Sequence, residues 1–215
     1  MAYQTILFDL DGTLTDPGVG ITNSVAYALG KYKITVPERA ALYKFIGPPL
    51  IDSFERYYGF SHERAVEAVT FYREYFSETG IFENQVYDGI GDLLQELRKA
   101  GKQLIVATSK PEQFAVQILE HFALAGYFDF IAGACMDETR TKKAEVITYA
   151  LEACGITDKS RVLMVGDREH DVLGAKEAGV ASLGVLYGYG GREELERAGA
   201  DIIAERVADL TDILL

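Results

Sequence analysis

Two aspartates one residue apart open the run Asp9-Leu10-Asp11-Gly12-Thr13, directly after the apolar stretch Ile6-Leu7-Phe8. Carboxylates spaced this way at a strand end can converge on one cation, and the glycine leaves backbone N–H groups facing the same space. Taken alone, the pair reads equally well as an Asx-rich turn that ends a strand. A second acidic group, Gly166-Asp167-Arg168-Glu169-His170-Asp171, again follows an apolar run, Val162-Leu163-Met164-Val165. If a helix begins there, Asp167 and Asp171 lean to one face near its N-terminus. Helix N-capping would account for Asp167 by itself. It does not account for four carboxylates at two strand ends, which would repel one another without a divalent cation.

Two further groups offer the opposite charge. Thr108-Ser109-Lys110-Pro111 ends the apolar run Leu104–Ala107, and Lys142-Lys143 begins a helical pattern that continues to Cys154. A strand-end hydroxyl can donate to a phosphoryl oxygen, and a lysine at a helix N-terminus adds positive charge where the helix dipole already favours anions. Singly, Thr108 is more often a turn former, and Lys142 or Lys143 a solvated surface charge. All four groups, however, follow apolar strands or begin the next helix, and a parallel sheet brings such positions to one edge.

The composition fits such a site. The chain has 215 residues, with 33 Asp+Glu against 21 Lys+Arg and a net charge of −12. That balance opposes approach to nucleic-acid backbones and anionic membranes, so neither is an expected partner, and an anionic substrate would need the local cations just named. Hydrophobic residues at 48% supply a packed interior and exclude wholesale disorder. The length allows one full core plus a modest subdomain. Two distant cysteines, Cys135 and Cys154, suggest neither a disulfide scaffold nor a zinc site and fit a reducing cytoplasm. The N-terminus carries neither a basic leader nor an apolar run of roughly 20 residues, so secretion and membrane insertion are not expected.

The elements that must position these residues alternate. Short β-branched runs at 5–8, 103–107, 128–132, 161–165 and 180–186 predict strands. Helical periodicity at 90–97, 112–122, 143–154, 169–178 and 191–198 predicts the crossovers between parallel strands. Residues 16–85 show no convincing strand and offer helices around 20–33, 50–58 and 62–79, broken at Pro37 and at Gly47-Pro48-Pro49. An α/β core at 1–15 and 86–215, with a helical insert at 16–85, would put both chain crossings beside the first strand's carboxyl end, where the insert could serve as a lid.

In order along the chain, Asp9–Thr13 as DxDGT, a strand-end Thr108, a lysine at Lys143 and Gly166–Asp171 as GDxxxD resemble the haloacid dehalogenase superfamily of phosphohydrolases. The resemblance covers nearly the whole chain. It implies a Rossmann-like parallel sheet with helices on both faces plus an inserted all-helical cap. The position of the insert and the segments Phe45–Leu50 and Thr108–Pro111 are similar to the phosphoglycolate-phosphatase-like branch. By this resemblance Asp9 is the nucleophile, forming an aspartyl-phosphate, and Asp11 the acid/base. Gly12, Thr108, Ser109 and Lys143 bind the phosphate, with Lys142 the alternative lysine. The resemblance also implies magnesium held by Asp9, the Asp11 carbonyl and Asp167, with Asp171 binding directly or through water. The implied substrate is a small phosphorylated metabolite, acted on by a monomer or homodimer. A 5′-nucleotidase, a pyrophosphatase or a sugar-phosphate mutase would share the motifs. A halide leaving group needs no acid at position 11, which argues against dehalogenation. A non-turnover phospho-acceptor domain shares the parts, but such receivers are about half this length and lack the insert.

Gly47, Pro48, Lys44, Arg56 and Arg73 are the insert's candidates for substrate specificity, with Tyr43 or Phe54 available to stack on a base. Tyr72, Tyr75 and Phe76 read as the packed face of a helix. Tyr187-Gly188-Tyr189-Gly190-Gly191 reads as a glycine-rich turn, though its tyrosines could border a substrate entrance. His170 reads as structural or peripheral, and His62 and His121 carry no functional expectation.

Overall fold

The computed structural model describes residues 3–137 and 139–215. The chain divides into two compact units, Met1–Thr15 with Val86–Leu215, and Asp16–Gln85.

In the first unit the short apolar runs become strands β1 (Thr5–Phe8), β4 (Gln103–Pro111), β5 (Phe130–Ala134), β6 (Val162–Gly166), β7 (Ala181–Val185) and β8 (Ile202–Ala204). They form one sheet in the order β5-β4-β1-β6-β7-β8, with parallel pairing throughout. Ile6, Leu7 and Phe8 are wholly buried, the mark of a strand covered on both faces, which is why β1 reads as an unbroken apolar run. The connecting helices are α4 (Ile90–Lys99), α5 (Glu112–His121), α6 (Lys143–Ala153), α7 (Glu169–Ala178) and α8 (Arg192–Ala198), and α9 (Val207–Leu214) closes the chain.

Right-handed crossovers place these helices. The chain moves one way along the sheet from β1 to β4 to β5 and the other way from β5 through β6 and β7 to β8, so α4 and α5 cover one face while α6, α7 and α8 cover the other. One core cluster accordingly joins Leu7, Ile105 and Met164 of the sheet to Val146, Ile147 and Ala150 of α6 and Ala175 of α7. Burying each large apolar side chain of this kind contributes about 1.5–3 kcal/mol. The direction reverses at β1, and the crevice beyond the carboxyl ends of β4, β1 and β6 is where such sheets bind ligands.

Two departures from the periodicity have physical causes. The expected 103–107 strand runs on to Pro111, because its pairing with β5 resumes at Pro111 after a register shift past Ala107. The last strand, β8, has only three residues, too few to show a period of two, and exists through its ladder with β7.

The second unit contains α1 (Gly18–Lys31), α2 (Leu50–Tyr58) and α3 (His62–Tyr75), with a 3₁₀ segment at Arg39–Phe45 and a π-helical turn at Phe76–Gly80. α3 starts at Ser61, whose side chain accepts the Arg64 N–H, and α2 ends at Gly59 in the left-handed conformation. The core of the unit is aromatic: Phe54 stacks on Phe60 with centroids 5.9 Å apart, and Phe45 meets Phe54 edge-on at 5.1 Å. Tyr72, stacked on Phe76 at 5.2 Å, belongs to the packed face its spacing predicted. The expectation of no strand in 16–85 needs one correction. Two-residue strands β2 (Thr15–Asp16) and β3 (Gln85–Val86) pair with each other.

Candidate active site

Two strands of the sheet and the helix that follows one of them deliver the acidic residues. Asp9 follows β1 and its N–H donates to the Val165 carbonyl of β6 at 2.9 Å, which locks the two strand ends together. Asp167 follows β6, and Asp171 lies in the first turn of α7, where its Oδ2 accepts the Arg168 N–H at 3.0 Å. The carboxylates of Asp9, Asp167 and Asp171 each offer an oxygen within 4.8 Å of the others, and all three side chains are buried. Gly12, at φ +86°, permits this crowding, because a Cβ there would overlap the Asp167 carboxylate.

Lys143 binds two members of this cluster. It is the first residue of α6, and its Nζ lies 2.7 Å from Asp9 Oδ1, 2.8 Å from Asp171 Oδ1 and 3.0 Å from the Ala107 carbonyl. Gly174 on α7 leaves room for its stem, since a Cβ there would stand 2.7 Å from Lys143 Cγ. Lys142, by contrast, is an exposed N-cap residue. Burial alone would lower the Lys143 pKa, but the charges of Asp171 and Asp9 outweigh it and the ammonium is held above its ordinary value.

Lys110 is the site residue that motif reading missed. The register shift in β4 carries the chain from Thr108 to Pro111, and bulges of this kind re-aim side chains. Lys110 Nζ pairs with Asp11 Oδ2 at 2.6 Å, both groups being buried. Burial raises the pKa of Asp11 above its ordinary value, and the neighbouring Lys110 opposes the rise. The sequence shows a lysine there, but alternation across a regular strand does not reveal its direction. The Asp11 carboxylate is therefore engaged with Lys110 and does not belong to the three-carboxylate cluster. Thr108 is buried beside this pair in sequence, its Oγ1 accepting the Lys110 N–H at 3.2 Å, and Ser109 is half-buried.

The cluster fits a divalent cation. Three carboxylates against the single ammonium of Lys143 leave two negative charges in a buried space. Asp167 Oδ1 is buried with no hydrogen-bond partner, whereas its Oδ2 accepts the Tyr189 N–H at 2.7 Å. The Asp167 pKa is pushed well above the carboxylate range, by burial first and then by Asp171 and Asp9, and that of Asp171 is raised chiefly by burial. Unpaired buried carboxylate oxygens of this kind are costly unless a cation meets them. Hard oxygen ligands suit magnesium.

The specificity candidates lie in the second unit. Lys44 and Arg56 are exposed and share the ring of Tyr57, with Lys44 Nζ 4.4 Å and Arg56 Cζ 5.6 Å from its centroid. Arg73 is half-buried on α3, Pro48 is half-buried, and Gly47 takes φ +100°. Tyr43 is exposed, while Phe54 is wholly buried in the aromatic core and cannot stack on a ligand. His170 is half-buried, and no bond of its side chain to the cluster is seen among the described residues.

The family described as haloacid dehalogenase-like hydrolase matches residues 6–185. A 5′-nucleotidase of Pseudomonas aeruginosa is 51% identical over 195 residues, 91% of this chain and 88% of that protein. The tyrosine-protein kinase PtkA of Mycobacterium tuberculosis is 40% identical over 200 residues, 93% of this chain and 68% of its own length. The crystal structure of a predicted phosphatase from Clostridium acetobutylicum superposes with a TM-score of 0.97 at 50% identity, covering 100% of this chain and 99% of that one.

Proposed function

Because the chain belongs to the haloacid dehalogenase-like hydrolase family and is a phosphatase of that family, we propose that it is a magnesium-dependent phosphomonoesterase working through an aspartyl-phosphate on Asp9. The observation that carries this reading is the buried Asp9, Asp167 and Asp171 cluster, bound by Lys143 and containing a carboxylate oxygen without a partner.

The first half-reaction uses the Asp9 carboxylate as nucleophile. One of its oxygens bonds to phosphorus as the ester P–O bond breaks, and the leaving oxygen takes a proton from Asp11. Burial raises the Asp11 pKa, the direction an acid requires, and Lys110 fixes the position of its carboxylate. In the second half-reaction a water oxygen attacks phosphorus, its proton passes to Asp11, and the bond to Asp9 breaks to release inorganic phosphate. Lys143 holds the Asp9 carboxylate in place and, with the Thr108 hydroxyl and the N–H groups around Gly12, supplies positive charge and donors for phosphoryl oxygens. Asp9, Asp167, Asp171 and the Asp11 carbonyl would hold magnesium, which when bound would neutralise charge on the nucleophile and on the phosphoryl group.

The substrate class proposed is a nucleoside 5′-monophosphate in a cytoplasmic setting. The support is the 51% identity to a 5′-nucleotidase, which outweighs the phosphoglycolate suggested by the segments at 45–50 and 108–111. The net charge of −12 supports a small metabolite over nucleic acid or an anionic membrane as partner. No helix among the described residues is long and apolar enough to cross a membrane. The test is phosphate release from a panel containing nucleoside 5′-monophosphates, phosphoglycolate, pyrophosphate and sugar phosphates, with and without chelator. Chelator-sensitive release, greatest from the nucleotides and lost in Asp9→Asn, is expected. No release from any substrate would overturn the reading.

A further inference from the structure

The segment Tyr187–Gly190, between β7 and α8, reads in sequence as a plain glycine-rich turn, yet its packing is organised around Asp167. The Tyr189 N–H donates to Asp167 Oδ2 at 2.7 Å. A Cβ at Gly188 would overlap both the Gly12 carbonyl oxygen and the Asp167 side chain, and one at Gly190 would overlap the Asp167 carbonyl oxygen. Neither glycine has a positive φ, so what each supplies is space for close approach rather than an unusual backbone conformation. The start of the segment is pinned separately. The Tyr187 hydroxyl donates to the Thr13 carbonyl at 3.0 Å, and its ring meets Tyr87 edge-on at 5.0 Å.

These contacts have one effect on the cluster. With Oδ2 taken by the Tyr189 N–H, the oxygen of Asp167 that has no hydrogen-bond partner is Oδ1. A carboxylate held at one oxygen by a backbone donor presents the other in a fixed direction, which is how partners outside the coordination sphere orient a metal ligand. We infer that Tyr187–Gly190 is a positioning segment for magnesium: it clamps Asp167 between its own backbone and the Gly12 turn so that one carboxylate oxygen faces the cation. This rests on the metal reading given above and extends it to residues outside the carboxylate cluster itself.

Magnesium affinity decides the matter, measured by isothermal titration calorimetry on the full-length protein stripped with chelator. In Gly188→Ala, magnesium should bind about 10- to 100-fold more weakly than in wild type, the range typical of lost outer-sphere support. The magnesium concentration for half-maximal turnover should rise by the same factor, with kcat recovered at saturating magnesium. Tyr187→Phe removes only the bond to the Thr13 carbonyl and adds no atom, so it serves where Gly188→Ala does not fold, and a severalfold loss of affinity is expected. Gly191→Ser is the control, because a Cβ there meets nothing within 4 Å and serine suits the helix N-cap position it occupies. It should bind magnesium as wild type does. Wild-type affinity in folded Gly188→Ala, or in Tyr187→Phe where the first variant is unfolded, would overturn the proposal while leaving the metal reading intact. A wild-type protein that binds no magnesium would overturn both.

Discussion

Replacing Asp167 by asparagine should stabilise the metal-free protein and abolish its response to magnesium. The ligand oxygens of Asp9, Asp167 and Asp171 lie within 4.8 Å of one another in buried surroundings. Two unit charges at that separation repel by about 3.5 kcal/mol at an effective dielectric of about 20. Asp167 faces two such neighbours, and Lys143 touches both of those rather than Asp167 itself. Burial first, then Asp171 and Asp9, pushes the Asp167 pKa well above its ordinary value, the direction in which protonation offsets part of this repulsion. Removing the charge at neutral pH should therefore return about 1–3 kcal/mol. Asparagine keeps an oxygen to accept the Tyr189 N–H. For a chain of this size about 2–4 °C accompanies each kcal/mol, so Tm in chelator should rise by about 2–12 °C. The wild type should gain about 2.7 kcal/mol from magnesium at a hundredfold excess over its Kd, and the variant nothing. Differential scanning fluorimetry, with chelator and with millimolar magnesium, reads both effects. A variant less stable than wild type in chelator, or one that keeps the full magnesium shift, would refute the electrostatic account.

Lys143→Met leaves two buried carboxylates without their cation and should destabilise the protein by about 3–5 kcal/mol, measured by urea unfolding. Asp11→Asn should abolish turnover of a nucleoside monophosphate, whose alkoxide needs a proton, while sparing p-nitrophenyl phosphate to a much greater degree; equal losses on both would remove Asp11 from the acid role. In metal-free protein the folded pKa of Asp167 stands above the unfolded carboxylate value of about 3.9, so the folded state holds the proton more tightly. Stability should accordingly fall as pH rises from about 4 through the raised folded pKa, by at most about 1.4 kcal/mol per pH unit for this one group, and magnesium should flatten the profile in thermal scans at successive pH values.

Periodicity and apolar runs located β1 and β6 and therefore the places where Asp9 and Asp167 leave the sheet. Those strands are buried on both faces, and their composition alone demands it. The convergence of Asp9, Asp167 and Asp171 was legible because parallel strands share a carboxyl edge. What was not legible depended on departures from regular geometry. Lys110, which pairs with Asp11, lies within the register shift of β4, where regular alternation no longer assigns a face. The engagement of Tyr189 with Asp167 is made by a backbone N–H, which has no signature in residue type. Phe54, a stacking candidate by sequence, is instead wholly buried among Phe45 and Phe60, since an aromatic in a helical pattern does not announce which side of the helix is covered.

The sheet order also bears on how the protein is made. β1 is synthesised first yet ends in the middle, its Thr5 aligned with Gln103 on one side and Val162 on the other. At translation speeds of about 5–20 residues per second, the nascent Thr5–Phe8 segment waits on the order of ten seconds for its second neighbour. Asp9 thus emerges from the ribosome long before the residues that restrain it, and chains stalled before β6 would display a greasy, half-paired ribbon to chaperones and proteases rather than a partly working enzyme.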